Sequence, residues 1–186
     1  MPRVKKFDQE KVFEKALHLF WEKGYEATSL SDLTDQLGIG KGSFYDTFGS
    51  KKQLFDNCLS AYRMKGYEAL DSFLAKKTNP IEGIAYFLDK HTEMMFADTE
   101  AKGCFIANST VELSDDSAMQ FFLKEHFQVM KSKLVEYLDT GSFKNDVDAL
   151  AESILLHVTG ISVLSKVNKD RSVFDKSNAL FMQLIK

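Results

Sequence analysis

The sequence predicts an all-α protein of about nine helices: an N-terminal three-helix bundle followed by a larger helical body. Apolar residues recur at three- and four-residue spacing along most of the 186 positions, and no alternating, strand-like run stands out. Proline occurs only as Pro2 and Pro80, and no hairpin dipeptide such as Asn-Gly is present. Five of the ten glycines fall between residues 24 and 49, so turn chemistry is concentrated where closely spaced short helices need it.

Residues 8 to 23 form the first predicted helix. Asp8 caps it, and Phe13, Ala16, Leu17, Phe20 and Trp21 make its core stripe. Leu30, Leu33 and Leu37 share one face of a second, short helix. Ser29 with Asp32 fits a variant of the capping box, and Gly38 stands where a left-handed residue is wanted. Ile39 inserts an apolar side chain, and Gly40 opens a third helix. Phe44 and Phe48 lie four apart and turn inward; Lys41 and Tyr45 lie four apart on a different face, flanked by Ser43, Asp46 and Thr47. Gly49 ends this helix and Ser50 caps the next. Lys51 and Lys52 then sit in a first turn where positive charge opposes the helix dipole, an arrangement that makes sense if phosphate docks there.

The fourth helix runs from Lys51 to about Lys77, weakened by Gly66. Thr78-Asn79-Pro80 is the clearest loop, followed by helical spacing at Ile81, Ile84, Leu88, His91 and Met95. Residues 103 to 113, 115 to 139, 145 to 169 and 172 to 185 read as four further helices, with Gly141-Ser142 between the middle pair. The next-to-last presents Val147, Leu150, Ile154, Val158 and Ile161 on one face and Leu155, Ser162 and Ser165 beside it. Apolar surface on more than one side must be buried somewhere.

Two short helices joined by a tight turn, with Lys41, Gly42, Ser43, Tyr45 and Thr47 outward, suit a phosphate-lined groove. Small residues allow close approach, hydroxyls bond phosphates or base edges, and the cation neutralises charge. The bland alternative is a helical hairpin with a solvated polar face. Three stretches decide between them: Gly24-Tyr25-x-x-Thr28-Ser29, then Leu37-Gly38-Ile39-x-Lys41-Gly42-Ser43-Phe44-Tyr45, then Phe48-x-Ser50-Lys51-x-x-Leu54-Phe55. Over residues 8 to 56 this pattern resembles the DNA-binding domain of the tetracycline-repressor (TetR) family.

The resemblance implies a DNA-binding domain over residues 1–50 and an effector-binding and dimerisation domain over 51–186. It implies DNA contacts from Thr28, Ser29, Ser31, Lys41, Gly42, Ser43, Tyr45, Asp46, Thr47, Lys51 and Lys52. Many members carry a small polar cap where Gly40 stands, and often an aromatic residue or histidine near Asp46 and Thr47, so those two positions are expected to carry operator preference. The fourth helix links head to body in the family. Its last two long helices pair with a second subunit, which points to Ile154, Val158, Ile161 and Leu180 as a homodimer interface, with Gly160 allowing close approach. The alternative is a purely internal core. The partners implied are a palindromic or near-palindromic double-stranded operator and an unknown small-molecule effector.

The body is dense in aromatic and Met residues, which more often fill cores than line pockets. His91, Met95, Phe105, Phe122 and His126 are candidates for effector contact. Cys104, at a helix start beside Lys102, is a candidate redox or electrophile sensor; the plainer reading is a small buried residue.

Net charge is −3 but uneven: residues 1 to 65 hold 11 Lys/Arg against 9 Asp/Glu, and the remainder 13 against 18. A local basic face combining Arg3, Lys5 and Lys6 with Lys41, Lys51 and Lys52 is compatible with DNA in an acidic protein; a solubilising tail is the alternative for the first three. No run of about 18 apolar residues suggests a membrane span, the N-terminus lacks a signal-like apolar stretch, and two cysteines make no disulfide framework. A cytoplasmic protein is expected. The four histidines are scattered, and no metal spacing, nucleophile elbow or phosphate loop occurs. No catalytic residue, metal or cofactor is assigned, and an enzyme is not expected. The competing reading is a helical small-molecule carrier or interaction protein with a non-functional DNA-binding head.

Overall fold

The computed structural model describes residues 8–97, 100, 102–139 and 146–185. Their regular structure is entirely helical: α1 (Gln9–Lys23), α2 (Leu30–Leu37), α3 (Lys41–Phe48), α4 (Lys51–Leu74), α5 (Pro80–Ala97), α6 (Phe105–Glu112), α7 (Ser117–Leu138), α8 (Val147–Leu164) and α9 (Arg171–Leu184). Most ends have a local cause. Asp8, Asp116, Asp146 and Asp170 accept from first-turn amides of α1, α7, α8 and α9, as N-caps do. Pro80 does not sit in a loop before α5 but is its first residue, where a missing N–H is no loss. Gly141 and Ser142, predicted as a separator, lie outside the described residues.

The chain divides into two compact units between Tyr62 and Arg63, within α4. In the first unit the buried face of α1 is Val12, Ala16, Leu19 and Phe20. Of the expected stripe only Ala16 and Phe20 are fully buried; Phe13, Leu17 and Trp21 sit at its edges, because the stripe's true centre is rotated by about one position. Trp21 packs edge-on to Tyr62, ring centroids 5.0 Å apart. Phe20 meets Phe55 edge-on at 5.2 Å, and Tyr25 lies 4.9 Å from the same ring.

In the second unit α7 packs on α8, and α5 on α8 and α9. Their core joins Leu70, Leu74, Ile84, Phe87, Leu88, Leu134, Leu138, Leu150, Ile154, Leu155 and Val158. Gly83 is required there. A Cβ on it would fall 1.8 Å from the Tyr137 hydroxyl, which donates to the carbonyl of Lys77 at 2.9 Å in the α4–α5 turn. α8 spans 18 residues at mean hydropathy 1.5, long and apolar enough to cross a membrane by length and composition, although Asp148 and Glu152 interrupt its apolar run. One face of it fills the core, which accounts for much of that hydropathy.

Candidate nucleic-acid interface

The α2–α3 corner is built as its residues suggest. Ser29 Oγ accepts from the Asp32 amide at 3.0 Å, and Asp32 Oδ2 accepts from the Ser29 amide at 2.8 Å, closing a capping box. Lys23 Nζ adds an ion pair to Asp32 at 3.1 Å, joining the end of α1 to the start of α2. The Ser29 hydroxyl and amide, then Lys23, hold the Asp32 carboxyl down to about 2. Gly38 ends α2 at φ +67°, a left-handed conformation that glycine adopts without strain. Ile39 is buried, and α3 follows Gly40 with no side-chain cap.

Phe44 is fully buried and anchors α3; Phe48 sits 5.6 Å away, partly buried. Lys41, Gly42, Ser43, Tyr45 and Asp46 are exposed, with Tyr45 standing edge-on over Phe44. Ser29 and Ser31 are exposed on α2, where the Ser31 hydroxyl lies 3.4 Å from Asp35. The corner therefore presents hydroxyls, a phenol, a cation and two carboxylates, Asp35 on α2 and Asp46 on α3.

Three expected DNA contacts are placed otherwise. Thr28 is fully buried and donates to the Gly24 carbonyl at 2.6 Å, so its hydroxyl holds the α1–α2 turn. Lys51 Nζ donates to the carbonyls of Tyr25 at 2.7 Å and Thr28 at 2.8 Å, and lies 4.1 Å from the Tyr25 ring centroid. Its charge is tolerated at the α4 N-terminus because these carbonyls and that ring surround it, with no phosphate needed. Thr47 is half-buried with its Oγ1 enclosed, whereas Asp46 beside it is exposed. Lys52 pairs with Asp56 at 2.6 Å. Arg3, Lys5 and Lys6 lie outside the described residues.

The body's candidates fall into two groups. His91 Nε2 lies 2.9 Å from Ser162 Oγ and 3.2 Å from the Val158 carbonyl. Ser162 donates to that carbonyl, so its oxygen accepts from His91 Nε2–H. Burial holds His91 down to about 4. Met95 packs with Ile161 and Phe174, Cys104 borders the same cluster, and Phe105 is buried at the start of α6. His126 and Phe122 belong to α7, facing Tyr67 and Arg63 of α4. Cys104 is the N-cap of α6 and partly buried; Cys58 is fully buried, its thiol pushed up to about 12.

The proposed dimer residues need correction. Ile154, Val158 and Ile161 are buried in the protomer's own core and have no surface to offer a second chain. Leu180 is exposed. The exposed apolar residues of α8 and its C-terminal end are Leu156, Val163, Leu164 and Val167, and those of α9 are Val173, Leu180 and Leu184. Spacings of 7, 8 and 11 from Leu156 put the first set on one stripe with Gly160, a periodicity present in the sequence but overshadowed by the stronger core face. Tyr25 as the partner of Lys51, and the Arg63–Tyr67 pair, were not foreseen either; they carry no local signal because their partners are distant in the chain. Among the described residues no group of His, Cys, Asp or Glu is arranged to hold a metal.

Comparison with known proteins covers both units. The model of bacterial regulatory proteins of the TetR family matches residues 12–58, and that of the LmrA/YxaF-like transcriptional regulator C-terminal domain matches residues 80–179. The HTH-type transcriptional regulator YezE of Bacillus subtilis is 30% identical over 178 residues, spanning 91% of this chain and 92% of its own. The HTH-type transcriptional repressor ComR of Escherichia coli is 31% identical over 173 residues, spanning 88% of this chain and 82% of its own. The fold matches that of the TetR-family regulator CifR, solved with 26-base-pair double-strand operator DNA. The TM-score is 0.88 at 24% identity, over 97% of this chain and 98% of that one.

Proposed function

Since the chain belongs to the TetR family of bacterial regulatory proteins, and is thus a DNA-binding transcriptional regulator and not an enzyme, we infer that it is a homodimeric repressor that a small molecule or electrophile releases from its operator. The observation that carries the DNA-binding site is the exposed face of α3: Lys41, Gly42, Ser43, Tyr45 and Asp46 on a helix anchored by buried Phe44. Ser29 and Ser31 flank it from α2, and Lys52 stands at the edge. The unit that ends at Tyr62 carries this role, and the unit from Arg63 onward carries effector binding and dimerisation. As a bacterial DNA-binding protein it is assigned to the cytoplasm.

Dimerisation rests on the α8 stripe of Leu156, Gly160, Val163, Leu164 and Val167 with Val173, Leu180 and Leu184 of α9. An exposed apolar patch of this kind marks an interface. A Cβ on Gly160 would meet nothing within 4 Å, so that point of the helix surface is open to a neighbouring helix. Two α3 helices in such a dimer meet successive major grooves when about 34–36 Å apart. An effector that favours another separation draws the population from the DNA-binding form. Cys104, bordering the Met95–Ile161–Phe174 cluster, is the thiol positioned to report modification to α8, whereas Cys58 is too deeply buried to react readily.

The test is fluorescence anisotropy of the full chain with promoter fragments from beside its own gene, at two salt concentrations. Salt-sensitive, sequence-selective binding supports the repressor. A folded dimer that binds none of them selectively would favour a small-molecule carrier.

A further inference from the structure

Arg63 and Tyr67 lie one turn apart on α4 and meet α7 in a cluster of rings and charges. The Arg63 guanidinium lies 4.2 Å from the Phe122 ring centroid, and its Nη1 donates to Glu125 Oε2 at 2.8 Å. Its Nε is fully enclosed and has no acceptor among the described residues. Buried donors of this kind are rare in folded proteins, and each calls for an oxygen from some source. Beside it the Tyr67 and His126 rings stack, centroids 5.4 Å apart and 13° from parallel, with the hydroxyl 3.3 Å from Nδ1. Burial, then the Arg63 charge, holds His126 down to about 4, so the ring is neutral near pH 7 and adds no charge to the cluster.

The charges balance. Glu125 offsets Arg63, and Asp71 offsets Lys133, whose Nζ lies 6.0 Å from the Tyr67 ring centroid. An anion entering here would be uncompensated and would lose its hydration at high cost, whereas a neutral acceptor brings no charge and recovers its lost hydration through one hydrogen bond. The side chains around Arg63 and Tyr67 include the rings of Phe122 and His126, which suits an aromatic ligand. We propose that Arg63 Nε is the recognition donor for an uncharged aromatic effector, binding its carbonyl oxygen while the ring packs against Phe122, Tyr67 and His126. This deepens the effector reading and rests on it.

Three small probes separate the alternatives in the full chain. Acetophenone supplies a neutral carbonyl, α-methylstyrene replaces its oxygen with a methylene at the same shape, and benzoate supplies a charged acceptor. The readout is the NMR resonance of the Arg63 Nε–H in isotope-labelled protein, assigned by its loss in Arg63→Lys. Acetophenone is expected to shift it saturably and to bind at least about tenfold more tightly than either other probe. Arg63→Lys is expected to abolish that preference. Equal binding of α-methylstyrene, tighter binding of benzoate, or an unmoved resonance up to the solubility limit of acetophenone overturns the proposal. Release from the operator by acetophenone is measured separately, so failure of the effector reading shows there and leaves the probe result standing.

Discussion

The Lys51 ammonium donates to the Tyr25 carbonyl at 2.7 Å while lying 4.1 Å from the centroid of the same residue's ring. A second bond to the Thr28 carbonyl fixes the turn that delivers Ser29 to the start of α2. Lys51 therefore positions the helix pair from behind, while Lys41 stands exposed on α3. Lys51→Met should lower stability by about 1–3 kcal/mol, because two carbonyls lose their donor. Operator affinity should fall with it, but the slope of log affinity against log salt should not change. Lys41→Ala should instead reduce that slope by about 1, because one phosphate is left without its cation. Anisotropy over a salt series checks both, and a reduced slope for Lys51→Met would return it to the phosphate-contacting set.

Asp46 is the exposed carboxylate of α3, the helix proposed to face DNA. It can be tolerated at the interface by accepting from cytosine N4 or by orienting Lys41. Asp46→Ala should change the preferred operator sequence, by about 1–3 kcal/mol at the affected base pair. Thr47→Val, whose hydroxyl is enclosed, should leave the preference unchanged. Selection from a randomised operator library reads both outcomes, and uniform weakening by Asp46→Ala would remove it from base reading.

His91 and His126 are each held down to about 4 by burial, against an ordinary value near 6.5. Both are neutral in the folded protein at pH 5, while the unfolded chain is largely protonated there. The unfolded state then binds more protons, so stability falls as pH drops from about 6.5 towards 4. Thermal melts should show a lower midpoint at about pH 5 than at about pH 7.5, and His126→Gln should narrow the gap. A gap unchanged by that substitution would mean that His126 does not carry the effect.

The fold was legible because its cues are local. Helix positions follow from apolar spacing, and Ser29, Asp32 and Gly38 each act within a few residues of where they stand. Exposure of Lys41, Ser43 and Tyr45 follows once Phe44 is placed inside. What could not be read depends on distant partners. Lys51 meets carbonyls 23 and 26 positions away, and Arg63 meets Glu125 62 positions away. On α8 two apolar faces compete, and periodicity alone does not say which one the protomer's own core takes.

That ambiguity on α8 is settled within the protomer by burial: Ile154 is fully buried, whereas Leu156 is 71% exposed. The two residues should therefore fail differently. Ile154→Ala removes packing from a closed core and should cost about 2–5 kcal/mol of stability. Leu156→Lys leaves that core untouched but places a charge on the stripe with Gly160, Val163 and Leu164. It should weaken self-association with little loss of helical content at a fixed protein concentration. Sedimentation equilibrium and circular dichroism on the same samples separate the two effects. In the proposed dimer two α3 helices engage successive grooves together, so Leu156→Lys should also weaken operator binding, and most strongly at low protein concentration. A Leu156→Lys protein that remains dimeric and binds as before would move the interface off this stripe.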